Sequence, residues 1–193
     1  MGLNFPEGQQ DRPAKIIATK FASFDDGQQT IYIVNGNSDA GWVNISNLSI
    51  SHACVSTASR LLMIFHCGAT SHTNTQDCGS NFRFYNASDG HHIGVGYNNS
   101  NRLRTTATSN YVQSYEGPYR SVGFSGAYVW HPNTTASKTY TLQGNGGDAS
   151  NNNSGMHINR SHNFTGSSSS GGSHRWLSTA ITTFTIHELM DAA

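Results

Sequence analysis

The feature that most constrains the fold of this chain is its series of short β-rich segments separated by Gly, Asn, Asp and Pro. No segment keeps apolar residues at the i, i+3, i+4, i+7 spacing of an amphipathic helix. Strand-like segments recur about every 8–12 residues, which is typical of β-sandwiches and jelly rolls. They cover residues 15–21, 30–34, 42–45, 48–50, 60–67, 81–85, 93–97, 119–130, 139–143 and 178–190. The sequence therefore predicts an all-β fold, a jelly-roll-like β-sandwich.

Three of these segments carry specific expectations. Residues 60–67 are continuously apolar at their centre, which predicts a central strand buried on both faces. Residues 81–85 and 93–97 flank Ser88-Asp89-Gly90, a strong hairpin signal. The last segment, 178–190, alternates with a period of two. This alternation places Ala180, Thr182, Phe184 and Ile186 on one face and Thr183, Thr185 and His187 on the other.

The first residues, Met1 to Pro13, contain two prolines and two glycines and show little periodicity, which predicts an extended N-terminal arm. We therefore divide the chain of 193 residues into an arm at 1–14 and one β-sandwich domain at 15–193. Within the arm, Leu3, Asn4, Phe5 and Pro6 are candidate docking residues, because short apolar side chains can fill a groove on a partner.

Composition narrows the classes of partner. Eleven basic and eleven acidic side chains give a formal net charge of zero, and there is no arginine-rich run. This balance disfavours nucleic acid as a partner. The longest apolar run, residues 61–65, is too short to cross a membrane, and the N-terminus does not resemble a signal peptide. We expect synthesis in a cytoplasm, no membrane partner and free, buried cysteines.

The sequence offers no convincing catalytic or metal-binding motif. Glu188 stands at the end of a strand, where we interpret it as structural. Gly123-Phe124-Ser125-Gly126 is followed by Ala127, so it falls short of a nucleophile elbow. His66, Cys67, His72 and Cys78 lie close in sequence but match no zinc spacing. We predict no catalytic residue, no metal ligand and no cofactor, although in a trimer one histidine per subunit could meet at the axis and bind an ion.

Aromatic residues near loops are the better functional candidates. Trp130-His131 and His174-Arg175-Trp176 place an indole beside polar side chains. Such an indole can stack on a sugar ring or pack in an interface. The candidate ligand-binding residues are therefore Trp130, His131, His174 and Trp176. The alternative is that each tryptophan packs in the core or between subunits.

Several pieces of the chain, in order, resemble small virion structural proteins of marine phages, especially cyanophages. The similar pieces are residues 1–8 with 13–17, Ser59–Ile64, Pro132–Thr135 with Thr139-Tyr140, Ile158–Ser161 and Thr183–Glu188. This chain has more histidines, and it has longer Asn/Gly and Ser/Gly loops at 144–154 and 166–173. The resemblance implies a tail-fibre-like or capsid-decorating component that is commonly trimeric, and it implies no catalytic residues.

The resulting hypothesis is a non-enzymatic virion protein, made in the host cytoplasm. We expect a homotrimer whose arm attaches it to other phage virion proteins of the capsid or the tail. The alternative is a host-receptor or glycan-binding module of the tail. A hydrolase acting on surface polysaccharide is the third hypothesis. Glycan binding that is lost on Trp130→Ala or Trp176→Ala would favour the glycan-binding module over the structural component.

Overall fold

The structure is a computed structural model that describes residues 14–25, 27, 29–32, 41–72, 80–97, 104–109, 122–146, 155–159 and 180–191. These residues form strands, turns and extended segments, with no helix among them. In particular, they include no helix with the length and apolar character needed to span a membrane. The expectation of an all-β chain is confirmed for this part of the protein.

Eleven strands form two antiparallel sheets. In chain order the strands are β1 (Ala14–Phe24), β2 (Gln29–Tyr32), β3 (Val43–His52), β4 (Arg60–His72), β5 (Ser80–Asn86), β6 (His91–Ile93), β7 (Ala107–Ser109), β8 (Val122–Trp130), β9 (Lys138–Asn145), β10 (Gly155–Ile158) and β11 (Thr182–Asp191). The first sheet has the order β1-β11-β4-β10-β2, and β8 also pairs with β4. The second sheet has the order β3-β9-β5-β6, and β7 pairs with the other end of β5.

The pairing order is that of a jelly roll. Without the short strands β2, β7 and β10, eight strands remain. The first of these pairs with the eighth (β1 with β11), and the second pairs with the seventh (β3 with β9). The third strand pairs with the sixth (β4 with β8), and the fourth pairs with the fifth (β5 with β6). A long hairpin that is wrapped into two facing sheets produces this nested pairing. The jelly-roll winding expected from the sequence is therefore present among the described strands.

The core lies between the two sheets and is aromatic at its centre. The Phe65 ring stacks on Phe82 at 5.2 Å between centroids, and Phe84 stacks on Phe184 at 5.5 Å. Phe65 and Phe184 belong to the first sheet, whereas Phe82 and Phe84 belong to the second, so these rings join the sheets. Aromatic pairs at such distances add to the free energy gained from burying their area.

Two sequence-based expectations about single strands were right. The last strand alternates as predicted, with Thr182, Phe184 and Ile186 buried and Thr183, Thr185 and His187 half-exposed. The predicted hairpin also forms, because Asn86 pairs with His91 across the turn 87–90. Gly90 has a φ of 73° in this turn, a conformation that glycine adopts without a steric penalty.

Two expectations were wrong. Strand β4 is not buried on both faces: Leu61, Met63 and Phe65 are buried, but Leu62 and Ile64 are half-exposed. The reason is that no described element lies over the outer side of this sheet. The strand expected at 93–97 ends at Ile93, because Gly94 has a φ of 62° and lies under the Tyr128 ring, where a Cβ would come within 2.4 Å of Cγ.

Candidate functional site

The outer side of the first sheet presents a surface that we call the four-strand face. It is built from outward side chains of β1, β11, β4 and β8, which lie in cross-strand rows. The two central rows are Thr19, His187, Leu62 and Val129, and then Phe21, Thr185, Ile64 and Ala127. Neither central row contains Asp, Glu, Lys or Arg. The four-strand face is therefore an uncharged surface at its centre.

Apolar side chains on this face are exposed to solvent. Phe21 is 62% exposed and Val129 41% exposed, and Ile16 beside them on β1 is 52% exposed. Leu62 and Ile64 are half-exposed between them. Single exposed apolar side chains are common on protein surfaces, whereas a contiguous group of them marks an interaction site. The polar members are tied to each other rather than to a charge, as in the 2.9 Å hydrogen bond between Thr19 Oγ1 and His187 Nδ1.

The outer side of the second sheet has the opposite character, and we call it the polar face. Arg83 is 5% exposed and Gln143 7% exposed. The Arg83 Nε donates to Gln143 Oε1 at 2.9 Å, and Gln143 Nε2 donates to Asn44 Oδ1 at 2.9 Å. The Arg83 guanidinium also lies 4.3 Å from the centre of the Trp42 ring, a cation–π contact. On β5 and β9 this face is thus buried and hydrogen-bonded within the chain, whereas its β3 members Asn44, Ser49 and Ser51 are exposed.

A third cluster lies at one end of the sandwich, and we call it the His–Cys–Glu cluster. It consists of His52 at the end of β3, Cys54 in the following loop, and Glu188 on the inward side of β11. All three are buried, and their potential metal-ligating atoms lie within 4.8 Å of one another. His52 Nε2 donates to Glu188 Oε2 at 2.8 Å, and the Val55 amide donates to Glu188 Oε1 at 2.8 Å.

The electrostatics of this cluster hold the carboxylate charged and the thiol protonated. Burial alone would raise the pKa of Glu188, but polar contacts from Ser59, the Val55 amide and His52 outweigh it and lower that pKa. Burial, and then the Glu188 charge, raise the pKa of Cys54 to about 11. A thiol with such a pKa is a poor nucleophile at neutral pH, so this cluster does not resemble a cysteine-protease-like centre.

The predicted ligand-binding residues divide into two groups. Trp130 is half-buried, packs against the core, and has its ring 5.6 Å from that of His91. His131 is the next residue and is exposed. His174 and Trp176, like the docking residues Leu3, Asn4, Phe5 and Pro6, lie outside the described residues. Ligand binding at these positions therefore stays a prediction.

Of the histidines and cysteines that are close in sequence, the side chains of His66 and Cys67 are described, and they do not converge on β4. His66 points outward, where its Nδ1 lies 2.8 Å from Ser125 Oγ. Cys67 points inward, is fully buried and contacts the Thr182 hydroxyl at 3.2 Å. Successive side chains of a strand point to opposite faces, which separates these two residues. The convergence occurs instead in the His–Cys–Glu cluster.

The sequence alone indicated a structural Glu188 and no role for His52 or Cys54. The alternation of the last strand contained a usable signal. Glu188 is separated from Ile186 and Phe184 by two and four positions, so it lies on the same face of the strand. That face points into the core. A buried carboxylate requires partners. No sequence signal identified His52 as that partner, because the two residues are 136 positions apart.

Comparisons with known proteins do not assign the chain to a family. No protein-family model matches the sequence, and no curated protein matches it either. Among solved structures, the chain is similar to a chain in the structure of infectious bursal disease virus, Gx strain, with 13% identity and a TM-score of 0.40. That likeness covers 90% of this chain and 37% of the viral one.

Proposed function

We propose that this protein is a structural component of a bacteriophage particle, which assembles as a homotrimer through the four-strand face. In this proposal, the arm with Leu3, Asn4, Phe5 and Pro6 attaches the trimer to a capsid or tail protein. The protein then serves as a capsid decoration or as a fibre-type component. The exposed apolar centre of the four-strand face is the observation that carries the proposal.

Two further features support a role in assembly. Jelly rolls are the subunits of many viral capsids, although lectins and cupins also use this winding, so the fold alone does not decide the function. The pieces of sequence that resemble marine phage virion proteins occur in the same order along this chain. This resemblance favours a capsid or fibre component over a glycan-binding module or a polysaccharide hydrolase. A β-sandwich whose four-strand face exposes apolar side chains is suited to the role of a subunit in an assembly.

A second copy of this chain is the occupant that best fits the four-strand face. The formal net charge is zero, so two copies do not repel each other through their overall charge. The central rows carry no Asp, Glu, Lys or Arg that would have to be paired or desolvated on contact. The central rows combine apolar side chains with threonine and histidine, and a scarcity of charged side chains is typical of the core of an interface.

The experiment is sedimentation of the purified chain over a range of concentrations. We expect a trimer for the parent protein and a monomer for Ile64→Asp, because a carboxylate at the centre of the face would be buried without a partner. Phe21→Asp should act in the same way, and its side chain is too exposed for this change to unfold the chain. Tyr97→Asp is the matched control, since Tyr97 is 93% exposed and lies on another part of the surface.

Incorporation into particles tests the second half of the proposal. Labelled parent chain should be recovered in purified phage particles, whereas a chain without residues 1–13 should form the trimer but stay out of the particles. A parent protein that is monomeric at all concentrations would contradict assembly through this face. A trimer that never enters a particle would contradict the virion role and leave self-association intact.

A further inference from the structure

We propose that His52, Cys54 and Glu188 form a zinc site between the two sheets, with the imidazole, the thiolate and the carboxylate as ligands. This site is independent of the four-strand face and of the proposed role in a virus particle. Each side chain comes from a different part of the chain: the end of β3, the loop after it, and β11 on the opposite sheet. A metal ion here would join the sheets at one end of the sandwich.

The choice of metal follows from the ligand types. Zinc accepts nitrogen, sulfur and oxygen ligands together, whereas calcium and magnesium bind oxygen and leave thiolates unused. A site with three protein ligands leaves a fourth position of the zinc tetrahedron for water or another group. The mixed ligand set therefore favours zinc over the hard cations.

The geometry is compatible with this assignment after a small adjustment. Bonds of about 2.0–2.3 Å to a tetrahedral zinc separate the ligand atoms by roughly 3.3–3.8 Å. The ligating atoms lie within 4.8 Å of one another, so the cluster has the required size. His52 Nε2 and Glu188 Oε2 are 2.8 Å apart and would separate by about half an ångström if both bound the ion. Cys54 belongs to the loop after β3, where no strand pairing fixes its backbone.

A buried hydroxyl lies next to the carboxylate of this cluster. Ser59 is fully buried and makes a polar contact with Glu188. A carboxylate in such polar surroundings stays ionised, which is the form that binds a metal ion.

An ion pair without metal is the competing interpretation, and it makes a different prediction about Cys54. A His52–Glu188 ion pair needs no thiol. If the cluster is only this pair, Cys54→Ser should leave the affinity of the protein for zinc nearly unchanged. Zinc binding instead replaces the thiol proton, which passes to solvent as the thiolate forms. The affinity for zinc should therefore increase as the pH rises toward neutrality and above.

The test is zinc titration of chelator-treated full-length protein, read by competition with a coloured chelator. We expect equimolar binding in the parent chain and an affinity reduced more than about 100-fold in Cys54→Ser, since loss of even an indirect partner costs 10–100-fold. Cys67→Ser is the matched control, because Cys67 is also buried and burial raises its pKa to about 11, but no histidine or carboxylate in the described part of the chain forms a cluster with it.

Two outcomes would overturn the proposal: no equimolar zinc binding, or equal affinity in the parent and Cys54→Ser chains. If Cys54→Ser does not fold, the parent protein with equimolar cobalt decides the question. A thiolate ligand produces a charge-transfer absorption band in the cobalt protein. Absence of this band would exclude Cys54 as a ligand, whereas its presence, with no change in Cys67→Ser, would support the site.

Discussion

The two sheets of this protein have outer faces of opposite character. The four-strand face of the first sheet is apolar and exposed, with Phe21 62% and Val129 41% accessible. The polar face of the second sheet carries hydrogen-bonded polar side chains, with Arg83 and Gln143 buried on β5 and β9 and Asn44, Ser49 and Ser51 exposed on β3. A polar solvent-facing side is usual for an antiparallel sheet, and only the first sheet departs from it. The second sheet pairs much of its outer side within the chain, whereas the first leaves apolar side chains exposed, as the proposed assembly requires.

Of the two outer faces, the polar face carries the larger expected effect on stability. Arg83→Met should lower the free energy of unfolding by about 3–4 kcal/mol. A hydrogen bond to a charged group contributes about 1.5–3 kcal/mol, and the contact with Trp42 adds up to about 2 kcal/mol. Urea denaturation in the Ile64→Asp background would measure this loss without interference from association.

The matched control for Arg83→Met is Lys138→Met, which removes another positive charge from the second sheet. Lys138 pairs with Asp89 at 2.5 Å, but this ion pair lies at the surface. Surface ion pairs contribute little to stability. If the two substitutions had equal effects on the urea midpoint, the polar face would not be the stabilising network that the comparison requires.

Acid should act on the carboxylate that is buried between the two sheets. Glu188 is the one fully buried carboxylate among the described residues, and its pKa is lowered. Its contribution to stability is complete above the ordinary glutamate pKa of about 4.3, and it is lost as the pH falls through the lower folded-state pKa. Urea midpoints measured from neutral pH down to about pH 3 should therefore decrease more steeply in the parent than in Glu188→Gln. Parallel curves would show that this carboxylate is not stabilised in its charged form.

The smallest expected effect on the stability of the chain is at the four-strand face. Phe21→Ala should change the free energy of unfolding of the monomer by less than about 0.5 kcal/mol, as for other exposed positions. Phe184→Ala is the matched control on the neighbouring strand, where the ring is fully buried, and it should cost about 3–5 kcal/mol. A large loss in Phe21→Ala would mean that this face stabilises the chain itself, and the comparison would fail.

The fold was predictable from local pattern to a considerable extent. The alternation from Thr182 to His187 identified the last strand and its two faces, and Ser88-Asp89-Gly90 located a hairpin. The apolar run at 60–67 was misleading, because its outer members Leu62 and Ile64 are half-exposed in the single chain. A run of apolar residues has the same appearance whether a second layer of the same chain or another molecule covers the strand.

The candidate sites were less predictable for a related reason. Trp130 was singled out because a loop follows it, yet its ring packs against the core and His91. Glu188 could be placed on an inward face by parity alone. Its meeting with His52 and Cys54 required the β3 end to lie opposite β11, which depends on how the sheets stack.

By itself, the sequence determined the secondary structure class, the position of several strands and the absence of net charge. These properties follow from side-chain periodicity and composition, which are local quantities. Only the tertiary structure decided the nested strand order, the contrast between the two outer faces and the convergence of His52, Cys54 and Glu188. Those depend on pairing and packing between residues that are distant in sequence, 136 positions in the case of His52 and Glu188, and no local pattern encodes such distances.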